Sequence, residues 1–265
     1  MMQCPKCAQP LVRQDKQYRC VNKHSFDIAK EGYVNLLLKN SANHGDNKQM
    51  VAARTQFLQK GYYQPLASKL QELIKQYQPA VSAIADLGCG QGYYTNQFQK
   101  AFPDASLWGT DISKEAIASA AKQNKNIQYL VASNAAVPLA SGSVDVALCL
   151  FSFQDFTETL RILRPNGILI VVSPHTHHLW ELKQTLYDTP YLNELKQAEH
   201  PSFAILAEEC LTYPLTLASN DAIRELFSMT PYFYKTSPQD HAKLNSIDTL
   251  AVHASFHIAI YQANK

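Results

Sequence analysis

The sequence predicts an α/β protein, in which a mostly parallel sheet is wound with helices and preceded by a small metal-pinned head. Three observations carry that prediction. The apolar run Val81 to Leu87 contains Asp86 near its end and opens into Gly88-Cys89-Gly90-Gln91-Gly92, whose alternating glycines let a backbone turn tightly and approach a nucleotide-like ligand. Apolar runs and helically spaced segments then alternate as a βαβαβ series. At the other end of the chain, Cys4, Cys7, Cys20 and His24 fall as C-x2-C-x12-C-x3-H, four metal-type ligands within 21 residues.

The head comes first. A segment so short cannot bury enough apolar surface to fold unaided, so a zinc ion held by Cys4, Cys7, Cys20 and His24 is expected to supply its folding free energy. With four protein ligands there is no open coordination position, which makes the ion structural rather than catalytic. Residues 1 to 60 carry ten Lys and Arg against four Asp and Glu, whereas the rest of the chain carries fourteen against eighteen. A basic head on a slightly acidic body suggests that the head meets a polyanion and the body does the chemistry. Arg13, Lys16, Arg19, Lys23 and Lys30 interleave with Tyr18, Phe26 and Tyr33, a composition that can hold phosphates and stack on unpaired bases. Phe26 is the ring expected to close the head's own core.

Residues 38 to 47 are polar and rich in turn formers, which predicts a flexible connection. Lys48 to Lys60 and Gln64 to Tyr77 show helical spacing, with Gly61 as the break and Tyr63 beside it. The strand ending at Asp86 is followed by a helix over Tyr93 to Ala101, a strand over Ser106 to Thr110 and a helix over Ser113 to Gln123 with Ser113 as its N-cap. Asp111 closes the second strand, where a carboxylate can accept both hydroxyls of a ribose. A third strand, Ile127 to Val131, leads into Ser133 and Asn134. Val144 to Leu150 is the fourth, and the loop after it, Phe151 to Asp155, lies where a topological switch point opens a binding crevice.

Glu158 to Leu163 reads as a short helix, Arg164 to Gly167 as a turn and Ile168 to Val172 as the fifth strand. Residues 180 to 210 read as helical with an insertion. Cys210 to Leu217 and Ala254 to Gln262 supply two final antiparallel strands, with Ser219 to Phe227 as a helix between. Cys89, Cys149 and Cys210 are expected to be buried small hydrophobes. With 265 residues, 46% hydrophobic and 17% charged, the chain is long enough for one α/β domain and an appendage. It has neither a run of about 18 apolar residues nor a basic leader with an apolar core. A cytoplasmic protein with no membrane partner is therefore expected.

The Asp86 turn resembles the first motif of class I S-adenosylmethionine-dependent methyltransferases, rather than the G-x-G-x-x-G of dinucleotide enzymes. The metal motif, Phe26 to Leu37, Gly61 to Leu66 and the Asp86 turn together resemble the bacterial 23S ribosomal RNA guanine-N1 methyltransferases over nearly the whole chain. That resemblance implies a Rossmann-like class I methyltransferase domain with a mostly parallel seven-stranded sheet. It divides the chain into a zinc-binding, RNA-recognising head (1–37), a linker with helices (38–78) and the methyltransferase domain (79–265). It implies S-adenosylmethionine as cofactor, structural zinc, a hairpin of large-subunit ribosomal RNA as partner, and a homodimer. Tyr63, Asp86, Gly88, Gly90, Gln91, Gly92, Asp111, Ser133 and His178 are assigned to the methyl donor, with Asp155 and Glu158 the nearest candidates for a base. Where relatives place an acid for the adenine amino group, this chain has the neutral Ser133-Asn134, and it lacks the Asn/Asp-Pro-Pro-Tyr/Phe signature of exocyclic amine methylation. Two other readings stay open, a small-molecule methyltransferase and a non-catalytic RNA-binding protein.

Overall fold

The computed structural model describes residues 1–38, 46–195 and 200–265, so most of the expected flexible connection, residues 39–45, lies outside the described residues. The head is a three-stranded antiparallel sheet of β1 (Val12–Gln14), β2 (Gln17–Arg19) and β3 (Ser25–Asp27). The chain then enters β4 (Val34–Asn35), which pairs in parallel with the third strand of the body. Helices α1 (Lys48–Gln59) and α2 (Gln64–Tyr77) follow, the first capped by Asn47 and the second started by a proline in its first turn.

The body alternates as expected: β5 (Ala83–Leu87), α3 (Tyr93–Ala101), β6 (Ser106–Asp111), α4 (Lys114–Gln123), β7 (Gln128–Val131), β8 (Val144–Leu150), α5 (Phe156–Ile162) and β9 (Leu163–Pro174). It closes with α6 (Trp180–Leu186), β10 (Phe203–Leu217), α7 (Asn220–Ser228), α8 (Pro238–Lys243) and β11 (Leu250–Ala263). The sheet runs β10-β11-β9-β8-β5-β6-β7-β4, antiparallel only where β11 meets β10 and β9. Seven of its eight strands belong to the body, and the eighth, β4, comes from the end of the head.

Strand alternation sorts the core into two layers. Ile84, Tyr129, Val146, Leu148 and Ile170 face α1, α2, α3, α4, α6 and α7. Ala85, Leu87, Leu130, Ala147 and Leu169 face the opposite side, where Ile162 of α5 and the head residues Met2, Cys4, Leu11, Tyr18 and Cys20 complete the packing. The head therefore covers a sheet face. Tyr18 Oη donates to Gln128 Oε1 at 3.0 Å, and Gln3 N donates to the Pro138 carbonyl at 2.9 Å.

Several expectations need correction. Tyr18 and Tyr33 are buried and Phe26 half-buried, so the head presents its exposed cations Arg13, Lys16, Arg19, Lys23 and Lys30 without those tyrosines beside them. Among the described residues of 180 to 210 the only helix is the two-turn α6, since β10 already begins at Phe203 and Pro190 and Pro201 lie in the stretch between. Arg164 to Gly167 is an irregular part of β9, with Asn166 at φ +58°, rather than a separate turn. Cys89 and Cys149 are buried as expected, whereas Cys210 is exposed.

Candidate functional site

The metal centre is built by two turns. The Ala8 N–H donates to the Cys4 carbonyl at 2.8 Å, and the Cys20 N–H to the His24 carbonyl at 3.1 Å. Ala8 and Lys23 take φ of +57° and +63° to make the bends. The four ligand atoms of Cys4, Cys7, Cys20 and His24 all lie within 4.8 Å of one another. Two Zn–S bonds of about 2.3 Å at the tetrahedral angle set sulfurs about 3.8 Å apart, and a Zn–S and Zn–N pair sets S and N about 3.5 Å apart. Cys7 Sγ is 3.7 Å from Cys20 Sγ, and His24 Nδ1 is 3.5 Å from both Cys4 Sγ and Cys20 Sγ. The donor set fits structural zinc in chemistry and in spacing.

The second site is a cleft of about 460 Å³ at the carboxyl ends of the central strands, a size suited to a nucleoside-like ligand. Its wall is made by Asp86, Gly88, Gly90 and Gln91 after β5, Asp111 at the end of β6, Ser133 and Asn134 after β7, and Phe151 to Phe153 after β8. Tyr63, between α1 and α2, closes another side together with Arg54 and Asp46.

The glycines divide their labour. A Cβ on Gly88 would meet Ser152 Cβ at 2.4 Å, and one on Gly92 would meet Tyr129 Oη at 2.6 Å and Ala120 Cβ at 2.9 Å, so both serve the protein's own packing. At Gly90 the nearest atom is Arg54 Nη1 at 3.7 Å, which leaves this position to face the cleft. Gly92 is absent from the cleft wall.

Asp111 is oriented by two backbone amides: Gly90 N donates to Oδ2 at 2.9 Å and Ser113 N to Oδ1 at 2.8 Å. Each oxygen keeps a lone pair for a ribose hydroxyl. Asp86 is 1% exposed, accepts from Thr95 Oγ1 at 2.6 Å through Oδ2, and has no partner for the buried Oδ1. Burial, with the neighbouring Asp111 charge, outweighs the threonine bond and pushes its carboxyl up to about 7. An orphaned carboxylate oxygen in a cleft wall is the partner a cationic ligand needs, and S-adenosylmethionine fits it.

His178 is buried behind Tyr63 and does not form part of the cleft wall. Ser255 N donates to its Nδ1 at 3.1 Å, which leaves the ring proton on Nε2, 3.5 Å from Tyr63 Oη. Burial depresses the imidazole to about 3 and raises the Tyr63 phenol, so both are neutral. His178 thus reaches the cleft through Tyr63.

Neither base candidate reaches the cleft. Asp155 caps α5, accepting from Glu158 N at 2.8 Å. Glu158 accepts from Val137 N at 2.6 Å and pairs with Arg161 at 2.7 Å, and so pins the loop after β7. Arg54 and Asp46, paired with each other over the cleft, were not legible as site residues, because α1 carries no motif that announces a ligand. Asn134 also does more than was expected: its Nδ2 donates to the Phe153 carbonyl at 2.9 Å and ties two strand-end loops together.

The family described as "RlmA, N-terminal" matches residues 2–41, and that described as "Methyltransferase domain" matches residues 85–171. The 23S rRNA (guanine(748)-N(1))-methyltransferase of Streptomyces fradiae is 34% identical over 91% of this chain and 89% of its own. YxjB of Bacillus subtilis (strain 168) is 33% identical over 92% of this chain and 90% of its own. The malonyl-[acyl-carrier protein] O-methyltransferase of Hahella chejuensis (strain KCTC 2396) is 29% identical over 59% of this chain and 60% of its own. With the zinc head and the methyltransferase body both present and the likeness sustained along the chain, this protein belongs to the 23S rRNA guanine-N1 methyltransferases.

Proposed function

We propose that the protein transfers a methyl group from S-adenosylmethionine to N1 of one guanine in a hairpin of large-subunit ribosomal RNA. The observation that carries this reading is the joining of a basic zinc head to the face of the same sheet whose strand ends form the cleft. A small-molecule methyltransferase has no use for such a head, and a non-catalytic RNA-binding protein has no use for Asp86 and Asp111 in a cleft. In this assignment residues 1–37 meet RNA and residues 79–265 carry the transfer, with 38–78 supplying part of the wall from Asp46, from Arg54 and Leu58 of α1, and from Tyr63 at the α1–α2 junction. Among the described residues no helix is long and apolar enough to cross a membrane. A cytoplasmic location goes with the substrate.

The bound cofactor supplies an electrophilic methyl on a sulfonium, the hard chemistry of the reaction. The chain's own residues bind and orient. Asp111 would accept from the ribose hydroxyls, Asp86 would set a negative charge beside the cationic end, and the Tyr63 hydroxyl, backed by His178, would offer its proton to the cleft. Among the described residues the carboxylates in the wall are Asp46, engaged by Arg54, Asp111, held by backbone amides, and Asp86, engaged by Thr95 through one oxygen while the other faces the cationic end of the cofactor's site. With Asp155 and Glu158 turned away, the N1 proton would pass to water at the cleft mouth as the nitrogen–methyl bond forms and the thioether leaves, so rate enhancement rests on holding nitrogen, carbon and sulfur in line rather than on a dedicated base. Methylation of N1 blocks the Watson-Crick edge, so reverse transcriptase should halt at one guanine of 23S rRNA in cells carrying the gene, and read through after its deletion. An unchanged stop pattern after deletion would reject the function.

The homodimer that the resemblance implies draws support from β10, which pairs with β11 on one side only among the described residues and exposes Ile205 and Leu206. Long uncovered edges are rarely left to solvent. Sedimentation equilibrium at micromolar concentration should return twice the chain mass, and Leu206→Lys should shift it toward one. A wild-type monomer under those conditions rejects the dimer.

A further inference from the structure

Phe151 and Phe153 are 43% and 69% exposed, yet both stand in the wall of the cleft, on the loop that leaves β8 at the switch point. Two phenylalanines facing solvent at a binding crevice forgo the burial that such rings normally gain. The loop that carries them is not slack. Phe151 N donates to the Val172 carbonyl at 3.0 Å, Ser152 Oγ to the Leu87 carbonyl at 2.6 Å, and Asn134 Nδ2 to the Phe153 carbonyl at 2.9 Å. Every residue of the triplet is thus tied to a different strand end, and Gly88 is bare because Ser152 needs the space. Phe151 also holds φ +58°, a left-handed backbone that a bulky side chain rarely adopts, and its ring is braced edge-on against Phe256 at 5.6 Å. Exposure and rigid anchoring coincide at both residues, with backbone strain at Phe151, and neither has a polar side-chain atom, so what they offer a ligand is a flat apolar face.

We propose that Phe151 and Phe153 receive the target guanine, stacking on its faces once it has left the RNA stack and so setting N1 in line with the methyl. The inference rests on the rRNA reading above. Stacking is the contact that this chemistry favours: a guanine attacked at N1 must keep its Watson-Crick edge unobstructed toward the sulfonium, while both faces remain available to rings. Hydrogen-bonding side chains at these two positions would compete for the edge that reacts. The cofactor's adenine is the other flat group within reach, and the test separates the two.

The experiment uses the full zinc-loaded chain, a 23S-derived hairpin RNA and S-adenosylmethionine. Single-turnover methylation is followed for wild type, Phe153→Ala, Phe151→Ala, Phe153→Leu and Phe153→Trp, with cofactor affinity measured by calorimetry. A second hairpin carries 2-aminopurine in place of the target guanine, so that extrusion and stacking are read as fluorescence. Phe151→Ala and Phe153→Ala should each slow transfer roughly 10- to 100-fold, the range expected for losing one stacking contact. Cofactor affinity should stay within about twofold of wild type. Phe153→Leu should behave as alanine, whereas Phe153→Trp should retain the rate and quench 2-aminopurine as wild type does. Because Phe151 leans on Phe256, the far more exposed Phe153 keeps the test valid where Phe151→Ala melts early. Cofactor affinity falling in step with the rate would give the rings to adenine, and rates within twofold of wild type would leave them idle. Either result overturns the proposal while wild type still marks N1. A wild-type enzyme that leaves no N1 mark on the hairpin removes the rRNA reading itself, and this proposal with it.

Discussion

Replacing Cys4 with serine is expected to release the zinc ion and cut methylation of the RNA hairpin by roughly 100-fold or more, while S-adenosylmethionine affinity falls by no more than about tenfold. The large first effect follows from the size of the head. Three strands of three residues each, with Leu11, Tyr18 and half-buried Phe26 between them, make too small a core to persist without an ion. Structural zinc contributes on the order of 10 kcal/mol in such modules, more than the head's apolar contacts can replace. The bounded second effect follows from where the head touches the body. Gln3 N binds the Pro138 carbonyl and Ala140 N the Met1 carbonyl, which steadies the loop beyond Ser133 and Asn134. Asp86, Asp111 and Tyr63 hang instead from β5, β6 and the α1–α2 junction, and the loop itself is also held from within the body, by Glu158 and Arg161 through Val137 and Leu139. Zinc release measured with a colorimetric chelator and cofactor titration by calorimetry give both numbers. Full retention of zinc would remove Cys4 from the ligand set. Complete loss of cofactor binding would show that the head is a strut for the whole sheet.

Legibility followed how local the cause was. The strands from β5 to β8 were readable because each is a short apolar run ended by a turn former, and α3 and α4 because their apolar residues recur at helical spacing. Ser113 was readable as a cap because the hydroxyl acts on an amide three residues on, Ala116 N at 3.1 Å. The four zinc ligands were readable for the same reason, since spacing alone restricts them. What failed was set by distant partners. Gly88 and Gly92 look alike in sequence, yet the atoms that require them to be glycine belong to Ser152 and to Tyr129 and Ala120. Tyr18 looked like a stacking ring until Gln128, 110 residues away, claimed its hydroxyl. Glu158 looked like a base until Val137 and Arg161 occupied it. The start of β10 at Phe203 was hidden because its pairing is dictated by β11, whose Ala263 lies opposite Phe203 at the far end of the chain.

Binding of S-adenosylmethionine near pH 7 is expected to release a substantial fraction of a proton, and that release should vanish in Asp86→Asn. The free protein holds the Asp86 carboxyl at about 7 because it is buried and one oxygen lacks a partner. In the unfolded chain the same group titrates near 3.8. A folded value raised above the unfolded one means that the native state binds the proton more tightly. The associated stability is fully present below about 3.8 and is lost as pH rises through about 7, by up to about 4 kcal/mol in all. Resistance of the cofactor-free protein to thermal unfolding should therefore fall between about pH 4 and pH 7 and level off above, and Asp86→Asn should flatten that decline. A cationic ligand beside the carboxyl reverses the balance, since an opposite charge favours the ionised form. Binding then drives the proton off, and cofactor affinity should strengthen as pH rises toward 7, by roughly tenfold per unit at most, and level off above it. Calorimetric titrations at pH 7 in phosphate and in Tris, whose ionisation heats differ widely, count the protons directly. Equal heats in the two buffers, with an affinity flat from pH 6 to 8, would mean that the positive end of the cofactor lies away from Asp86, and that this carboxyl is a structural partner of Thr95 alone.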